Sequence, residues 1–174
     1  MNVTINDIVS RRSVKRYLDK AVAYELVETI VKAGTYAPTG MNRQSPIIIA
    51  VTNKVLRDKL SRMNAAILGS ENDPFYGAPV VLAVLAKKDV NTRVYDGSLV
   101  MGNMMIAANS LGLGSCWIHR AKEIFDSEEG QTLLRELGVN GEYEGIGFCI
   151  VGYAAPNATK PQSERKPDYV VWVK

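Results

Sequence analysis

The sequence predicts an α+β fold in which helices pack on a central, mainly antiparallel sheet. Short apolar runs rich in β-branched residues are interspersed with segments whose apolar residues recur at helical spacing. These segments do not alternate regularly, as they would in a doubly wound parallel sheet. The chain has 174 residues, of which 47% are hydrophobic and 22% charged, and this favours a single globular domain over residues 1–174.

The residues that begin and end helices define the elements of the first half of the chain. The run Thr4–Asp7 resembles a capping box with Asp in place of Glu, and Pro38 is expected to end a helix. Asn53 can cap a helix and Gly69 can close it. The elements predicted here are a helix over residues 4–10, a helix over Tyr24–Tyr36, a buried strand over Ser45–Val51, a helix from Asn53 to about Leu68 and a central strand over Ala78–Ala86.

A segment without charged residues, Gly97–Ile118, dominates the second half of the chain. It is long enough to cross a bilayer, but asparagines, serines and glycines interrupt it, so a buried helix leading into a strand is predicted. Apolar or small residues surround most of this helix, so it is expected to be buried on several sides. A second copy of the chain would cover one of these sides, and a homodimer is therefore predicted. The elements predicted here are a helix over Asp96–Leu111 ended by Gly112, a strand over Ser115–His119, an Asp126-capped helix to about Leu137, a strand over Gly145–Tyr153 and a final strand over Tyr169–Val173.

Charge and cysteine usage argue against several classes of protein. The net charge is +3, and five of the ten residues from Arg11 to Lys20 are basic. A nucleic-acid partner is not expected, because Tyr17 is the only aromatic residue in this stripe. Cys116 and Cys149 lie in apolar runs without metal or redox spacing, which predicts no metal site and favours a reducing cytoplasm. No secretory signal or membrane partner is predicted.

The basic segment has the chemistry of a phosphate site. Guanidinium groups make bidentate, charge-assisted hydrogen bonds to phosphate oxygens, and a neighbouring hydroxyl adds a further donor. The residues that supply these groups are Arg11, Arg12, Ser13 and Lys15. The sequence therefore predicts a small anionic partner for this segment, although a solvated basic turn is its ordinary explanation when it is considered alone.

A second segment, residues 37–44, has the chemistry to border a planar heterocycle. Asn42 and Gln44 each carry an amide oxygen and an NH2 group, which complement ring carbonyls and nitrogens. Pro38 and Gly40 shape the backbone around them, although Pro38–Gly40 is more often an ordinary turn. The two segments together favour a phosphorylated flavin as the ligand.

Five short segments occur in a fixed order over more than 150 residues, and together they resemble the nitroreductase family of FMN-dependent oxidoreductases. The chain is similar to a small member of that family over nearly its whole length. The segments are Arg11-Arg12-Ser13-x-Lys15, Ala37-Pro38-Thr39-Gly40-x-Asn42-x-Gln44-x-Pro46, Asp96 to Asn103 preceding Ala107-Ala108, Gly112-Leu113-Gly114-Ser115-Cys116-Trp117 and Arg165-Lys166.

The resemblance implies a homodimer that binds two FMN molecules at the subunit interface, each held by both chains. It implies that the phosphate is bound by the basic segment with Arg165, and that Lys15 contacts the ribityl chain or ring edge. The ring would be bordered by residues 38–44, and its face by Gly114 and Ser115. The cofactor-binding residues expected on these grounds are Arg11, Arg12, Ser13, Lys15, Pro38, Thr39, Gly40, Asn42, Gln44, Gly114, Ser115 and Arg165.

The resemblance also implies the reaction. A hydride passes from NADH or NADPH to the flavin, and a small acceptor such as a nitroaromatic or a quinone then takes its electrons in a ping-pong sequence. No amino acid acts as the catalyst, although Lys15 is a candidate for stabilising negative charge on the reduced ring. Ile47 and His119 depart from the family pattern and bear on substrate preference, and His119 is left outside the site.

Two other functions are compatible with parts of the sequence. A protein that stores or senses FMN would bind the ring with the same residues but would turn over no donor. A nucleic-acid-binding protein would instead show no flavin and a strongly salt-dependent affinity. Bleaching of the flavin by a nicotinamide separates the enzyme from the storage protein.

Overall fold

A computed structural model describes residues 2–174 and confirms the α+β fold. Met1, which the single-domain prediction includes, lies outside the described residues. Within these residues, four antiparallel strands form one sheet in the spatial order first, second, fourth, third. The strands are β1 (Pro46–Val51), β2 (Val80–Lys87), β3 (Gly114–Ile118) and β4 (Tyr143–Gly152).

Helices cover both faces of this sheet. They are α1 (Val3–Ser10), α2 (Tyr24–Thr35), α3 (Lys54–Leu68), α4 (Arg93–Ser110), α5 (Ala121–Asp126) and α6 (Glu128–Glu136). Alternate residues of β2 face opposite layers, so that Leu82 packs among α2 and α4 while Ala83 packs among α3, α5 and α6. The central strand is therefore buried on both faces, as its uninterrupted apolar sequence predicted.

Several predicted helix ends are confirmed and two caps are corrected. Asn53 caps α3 by accepting a hydrogen bond from the Leu56 N–H (3.0 Å), and Gly69 closes that helix with a φ of 68°. The cap of α1 is Asn2 rather than Thr4, because the Asn2 side chain accepts from two N–H groups of the first turn. The predicted helix capped by Asp126 is α6, and its cap is Ser127; Asp126 is instead the last residue of the short helix α5, which was not predicted.

Two strand predictions need correction. The first strand, β1, pairs only with β2 and lies at the sheet edge, so most of its residues are half-buried rather than buried. The segment Tyr169–Val173 forms no strand within residues 2–174, although its alternation predicted one. Its side chains are 55–94% exposed. A strand needs a neighbouring ladder, and this segment pairs with none in the described part of the chain.

Helix α4 lies across one face of the sheet, with one side buried and the other open. Gly97 allows it to approach β4 closely, since a Cβ there would lie 2.6 Å from Ile146 Cγ1. Asn103 donates a hydrogen bond to the Ala33 carbonyl (3.1 Å) and so ties α4 to α2. On the outer side, Tyr95 is 72% exposed and Leu99 47%. Among residues 2–174, no helix has both the length and the apolar character needed to cross a membrane.

Candidate active site

All four basic residues of the predicted cofactor site line one cavity of about 370 Å³. The cavity lies between the segment that follows α1 and residues 158–165. Its lining residues are Arg11, Arg12, Ser13, Lys15, Ala158, Lys160, Pro161, Ser163 and Arg165. The structure thus brings Arg165 to the first basic segment, which lies about 150 residues earlier in the chain. Lys160 and Ser163 were missed by sequence reasoning, because a lone lysine and serine in a proline-rich loop carry no recognisable pattern.

The two arginines of this cavity differ in what they can offer a ligand. Arg12 Nη1 donates to the carbonyls of Val9 and Arg11, both at 2.8 Å, and so satisfies the open end of α1. Arg11 Nη1 is buried and has no hydrogen-bond partner within the described residues. A buried, unsatisfied guanidinium donor is costly, so this atom indicates a site for an anion.

A second cavity of about 260 Å³ shares both arginines and extends to the turn before β3. Ser115 Oγ lies buried in its lining, without a partner among residues 2–174. The Val14 N–H donates to the Ser115 carbonyl (3.0 Å), which holds the basic segment against β3. Gly114 permits this contact, because a Cβ there would lie 2.7 Å from Val14 Cγ2. Gly114 and Ser115 therefore lie where the basic segment meets the sheet.

The second predicted segment forms a compact loop at the other end of α4. The Gly40 N–H donates to Asp96 Oδ1 (2.9 Å), and the Thr92 hydroxyl donates to Asp96 Oδ2 (2.8 Å). A Cβ at Gly40 would lie 2.6 Å from Thr92 Oγ1, so this contact requires glycine. Asp96 is 3% exposed. Asp96 begins one of the five segments that resemble the family, but no role was predicted for it. The signal that could have identified it is its position as the last charged residue before the uncharged segment Gly97–Ile118.

This loop has a strained backbone that its own hydrogen bonds hold in place. Met41, Asn42 and Gln44 all have positive φ, at 55°, 53° and 49°. The Gln44 N–H donates to Thr39 Oγ1 (3.1 Å), and Gln44 Nε2 donates to Asn42 Oδ1 (3.2 Å). Residues in sparsely populated backbone conformations persist where their surroundings fix them, and they concentrate at functional sites. The two predicted amide side chains are therefore adjacent and held together.

The two halves of the predicted site lie at opposite ends of α4. Asp96 holds the loop at its first turn, whereas Asn109 donates to the Asp7 carbonyl (3.3 Å) near the exit of α1. Asn109 lies 13 positions after Asp96, which corresponds to about 20 Å along the helix axis. Neither cavity at the basic segment includes a described residue from 38–44. Within one chain, therefore, the loop does not meet the basic segment.

Thiol and phenol groups near the basic segment are held protonated. Burial raises the pKa of Cys149 to about 12, and burial also raises the pKa of Cys116 despite a hydrogen bond from Ser13 and the nearby charge of Lys15. Burial likewise raises the pKa of Tyr17, whose hydroxyl donates to the Val14 carbonyl (2.8 Å). These groups are therefore poor nucleophiles at neutral pH.

Comparison with known proteins agrees with this architecture. The sequence pattern of the Nitroreductase family matches residues 8–153. A relative from Archaeoglobus fulgidus, provisionally named NADH dehydrogenase/NAD(P)H nitroreductase, is 31% identical over 95% of this chain and 89% of its own length. "FMN reductase [NAD(P)H]" of Bacillus subtilis is 26% identical over 92% of this chain and 69% of its own length.

A solved structure is also similar over its full length. It is a nitroreductase with bound FMN from Bacteroides fragilis, with a TM-score of 0.91, 28% identity and 100% coverage of both chains. Since the family pattern spans most of the sequence and the fold agrees throughout, this chain belongs to the nitroreductase family.

Proposed function

We propose that this chain is a single-domain, FMN-dependent oxidoreductase that takes a hydride from NADH or NADPH and reduces a small acceptor such as a nitroaromatic or a quinone. The observation that carries the proposal is the cavity lined by Arg11, Arg12, Lys15, Lys160 and Arg165, together with the buried Nη1 of Arg11, which has no hydrogen-bond partner within residues 2–174. Membership of the family and the names of the relatives support the cofactor and the donor.

The residues at the basic segment fit the phosphate of FMN. Arg11 offers a desolvated guanidinium donor, and Arg165 brings a second guanidinium to the same cavity. Ser13 and Ser163 add hydroxyls, and Lys160 adds a further positive charge. Desolvated, preorganised donors bind an anion without first having to release other partners. Arg12 lines the cavity as well, but its Nη1 is occupied by the end of α1.

The loop at residues 38–44 fits the ring of FMN, provided that it comes from a second copy of the chain. Asn42 and Gln44 present amide groups on a backbone that Thr39 and Asp96 hold in place. Because α4 separates this loop from the basic segment of its own chain, a homodimer supplies the missing half of each site. The open side of α4 and the exposed apolar residues of Tyr169–Val173 are the surfaces on which we place the second copy.

When bound, FMN accepts the hydride and delivers the electrons to the acceptor. The chain's own residues hold the phosphate, orient the ring and place positive charge beside it, with Lys15 as the cation proposed to stabilise negative charge on the reduced ring. We propose that donor and acceptor use the same open position in turn, which gives ping-pong kinetics. We also assign the protein to the cytoplasm, where its two buried, unbridged thiols would stay reduced.

An anaerobic reduction experiment tests this proposal. The protein is purified, reconstituted with FMN and mixed without oxygen with NADH or NADPH, and the oxidised flavin absorbance is followed by stopped flow. We expect rapid bleaching by at least one nicotinamide and recovery of the absorbance when a quinone or a nitroaromatic is added. Protein that binds FMN but is not bleached would be a storage or sensing protein, and protein that does not bind FMN would reject the assignment altogether.

A further inference from the structure

The turn over residues 73–78, between α3 and β2, is held by one carboxylate. Asp73 accepts hydrogen bonds from the Phe75 N–H (2.9 Å), the Gly77 N–H (2.7 Å) and the Ser61 hydroxyl (2.6 Å). It also forms an ion pair with Arg57, which is itself 8% exposed. Every donor reaches this carboxylate from a residue whose position is fixed by α3 or by the turn itself. The turn is therefore rigid.

The tip of this turn is Tyr76, whose backbone lies in an unfavourable conformation. Its φ is 54°, in the left-handed region that a bulky side chain rarely adopts. Phe75, next to it, is fully buried and packs on Phe148, with ring centroids 5.3 Å apart. The turn thus anchors one aromatic ring in the core and directs the next one outward. Such strain persists where the surroundings impose it, and it calls for a functional explanation.

The ring of Tyr76 lies against the side chain of Lys15. The Lys15 Nζ is 5.7 Å from the ring centroid, within the range of a cation–π interaction. Lys15 forms no ion pair within residues 2–174, and it lines the cavity with Arg11, Arg12 and Arg165. Since these neighbours carry the same charge, they push the ammonium group outward. The face of the Tyr76 ring offers this ammonium group an attractive contact.

We propose that Tyr76 is a positioning residue for Lys15. Its ring face fixes the ammonium group at the mouth of the cationic cavity, and in this way sets the positive charge that acts on bound FMN. The proposal rests on the proposed function for the effect on FMN, but the contact between the two side chains exists without any ligand. Removing the ring lets Lys15 swing into solvent, where water screens its charge.

The contact is tested first by NMR on the protein without FMN. A lysine over an aromatic face has upfield-shifted Hε protons, and Lys15→Met identifies the Lys15 signal by its loss. We expect the upfield shift in the wild type and in Tyr76→Phe, and its disappearance in Tyr76→Leu. Tyr24→Leu, a similar change at an exposed tyrosine of α2, is the control and should leave the Lys15 signal in place. A Lys15 signal at its unstructured position in the wild type, or one unaffected by Tyr76→Leu, overturns the proposal.

The effect on the cofactor is tested by the midpoint potential of bound FMN in a double-mutant cycle. Tyr76→Leu should shift the potential to a more negative value in the wild-type background and cause no further shift in the Lys15→Met background. A shift of equal size in both backgrounds, or none in either, overturns the role through Lys15. Failure of the wild type to bind FMN would instead reject the proposed function, and the NMR result would then decide by itself whether Tyr76 positions Lys15.

Discussion

A buried guanidinium nitrogen, Arg11 Nη1, which has no hydrogen-bond partner in the described part of the chain, is the residue-scale feature on which the functional assignment depends. Arg11 and Arg12 are neighbours with the same side chain, and they differ in their hydrogen bonds. Arg12 satisfies carbonyls of α1, whereas Arg11 Nη1 is left unpaired within the described residues. The difference gives the two positions separate roles, one toward a ligand and one toward the fold.

The first prediction compares these two arginines. Arg11→Gln should weaken FMN binding by about 10- to 100-fold, because a hydrogen bond to a charged group contributes roughly 1.5–3 kcal/mol. It should leave the free energy of unfolding of the apoprotein unchanged or higher, since a buried unsatisfied donor is removed. Fluorescence titration with FMN and urea denaturation measure the two effects.

Arg12→Gln is the matched control for this prediction. It should lower the free energy of unfolding, because carbonyls at the end of α1 lose their donor, and it should weaken FMN binding less than Arg11→Gln does. Equal losses of FMN affinity in the two variants would contradict the assignment of Arg11 as the desolvated phosphate donor.

The second prediction concerns Asp73 and pH. Burial tends to raise the pKa of this carboxyl, but hydrogen bonds from Arg57, Ser61, Gly77 and Phe75 outweigh it, so that the pKa is lowered. A carboxyl whose pKa is lower in the folded than in the unfolded state stabilises the fold at pH values above its unfolded-state pKa. That stabilisation is lost as the pH falls through the folded-state pKa, below about pH 4.

Asp73→Asn should therefore reduce the loss of stability that occurs on acidification, while lowering stability at neutral pH. Urea denaturation at pH 6 and at pH 3 measures both effects. Asp168→Asn, in the exposed tail, corrects for the loss of one negative charge. An acid-induced loss of stability that is identical in the wild type and Asp73→Asn would show that this carboxylate does not hold the turn.

At the scale of elements, the loop at residues 38–44 shows how a helix terminus can order a strained segment. Asp96 lies in the first turn of α4 and accepts from the loop backbone and from Thr92. Asp96→Ala removes both hydrogen bonds and leaves the Gly40 N–H without its acceptor, at a cost of roughly 1–3 kcal/mol in stability. The third prediction is that this variant also binds FMN more weakly, although Asp96 itself lies behind the loop.

Thr92→Val separates the two contributions in this prediction. It removes the Thr92 hydrogen bond to Asp96 but keeps the Asp96 contact with Gly40, and it should lower FMN affinity less than Asp96→Ala. Thermal unfolding of the apoprotein and FMN titration are the measurements. An Asp96→Ala variant with wild-type FMN affinity would indicate that the loop does not contact the cofactor.

Elements that form because of their local sequence were predictable, whereas features that depend on partners distant in the sequence were not. Periodicity and end residues located α2 and α3, and an uninterrupted apolar run located β2. The edge position of β1 depends on which strands pair, and a pattern within one strand does not contain that information. Tyr169–Val173 alternates like a strand, but within residues 2–174 it has no ladder to join.

The same distinction applies to the candidate site. The first basic segment and residues 38–44 were recognised because their side chains are chemically unusual and close in sequence. Lys160 reaches the cavity only through the path of a long loop. Tyr76 reaches Lys15 only through a turn whose shape depends on Arg57 and Asp73. Chain topology, rather than residue pattern, creates these contacts.

At the scale of the whole molecule, we propose that two chains build each FMN site. Each chain carries a basic cavity at one end of α4 and an amide-bearing loop at the other, separated by about 20 Å along the helix. An apolar tail and an open helix face are available for the second copy. A two-fold symmetric dimer would pair each cavity with the loop of the partner and form two equivalent sites.

Complementation between two defective chains tests this claim most directly and is the fourth prediction. Arg11→Glu places a negative charge in the phosphate cavity, and Gly40→Val displaces the loop from Thr92. Each variant alone should bind little FMN. Refolding them together at equal concentration should restore about a quarter of the wild-type FMN content, because half of the dimers are mixed and each mixed dimer has one intact site.

Circular dichroism and native mass spectrometry of each variant alone first establish that both chains fold and form dimers. FMN content and anaerobic reduction by NADPH or NADH are then measured on the refolded mixture. Recovery of a bound, reducible flavin near that fraction is the result expected for a site shared between two chains. A mixture that binds no more FMN than the separate variants would place the whole site within one chain and contradict the account.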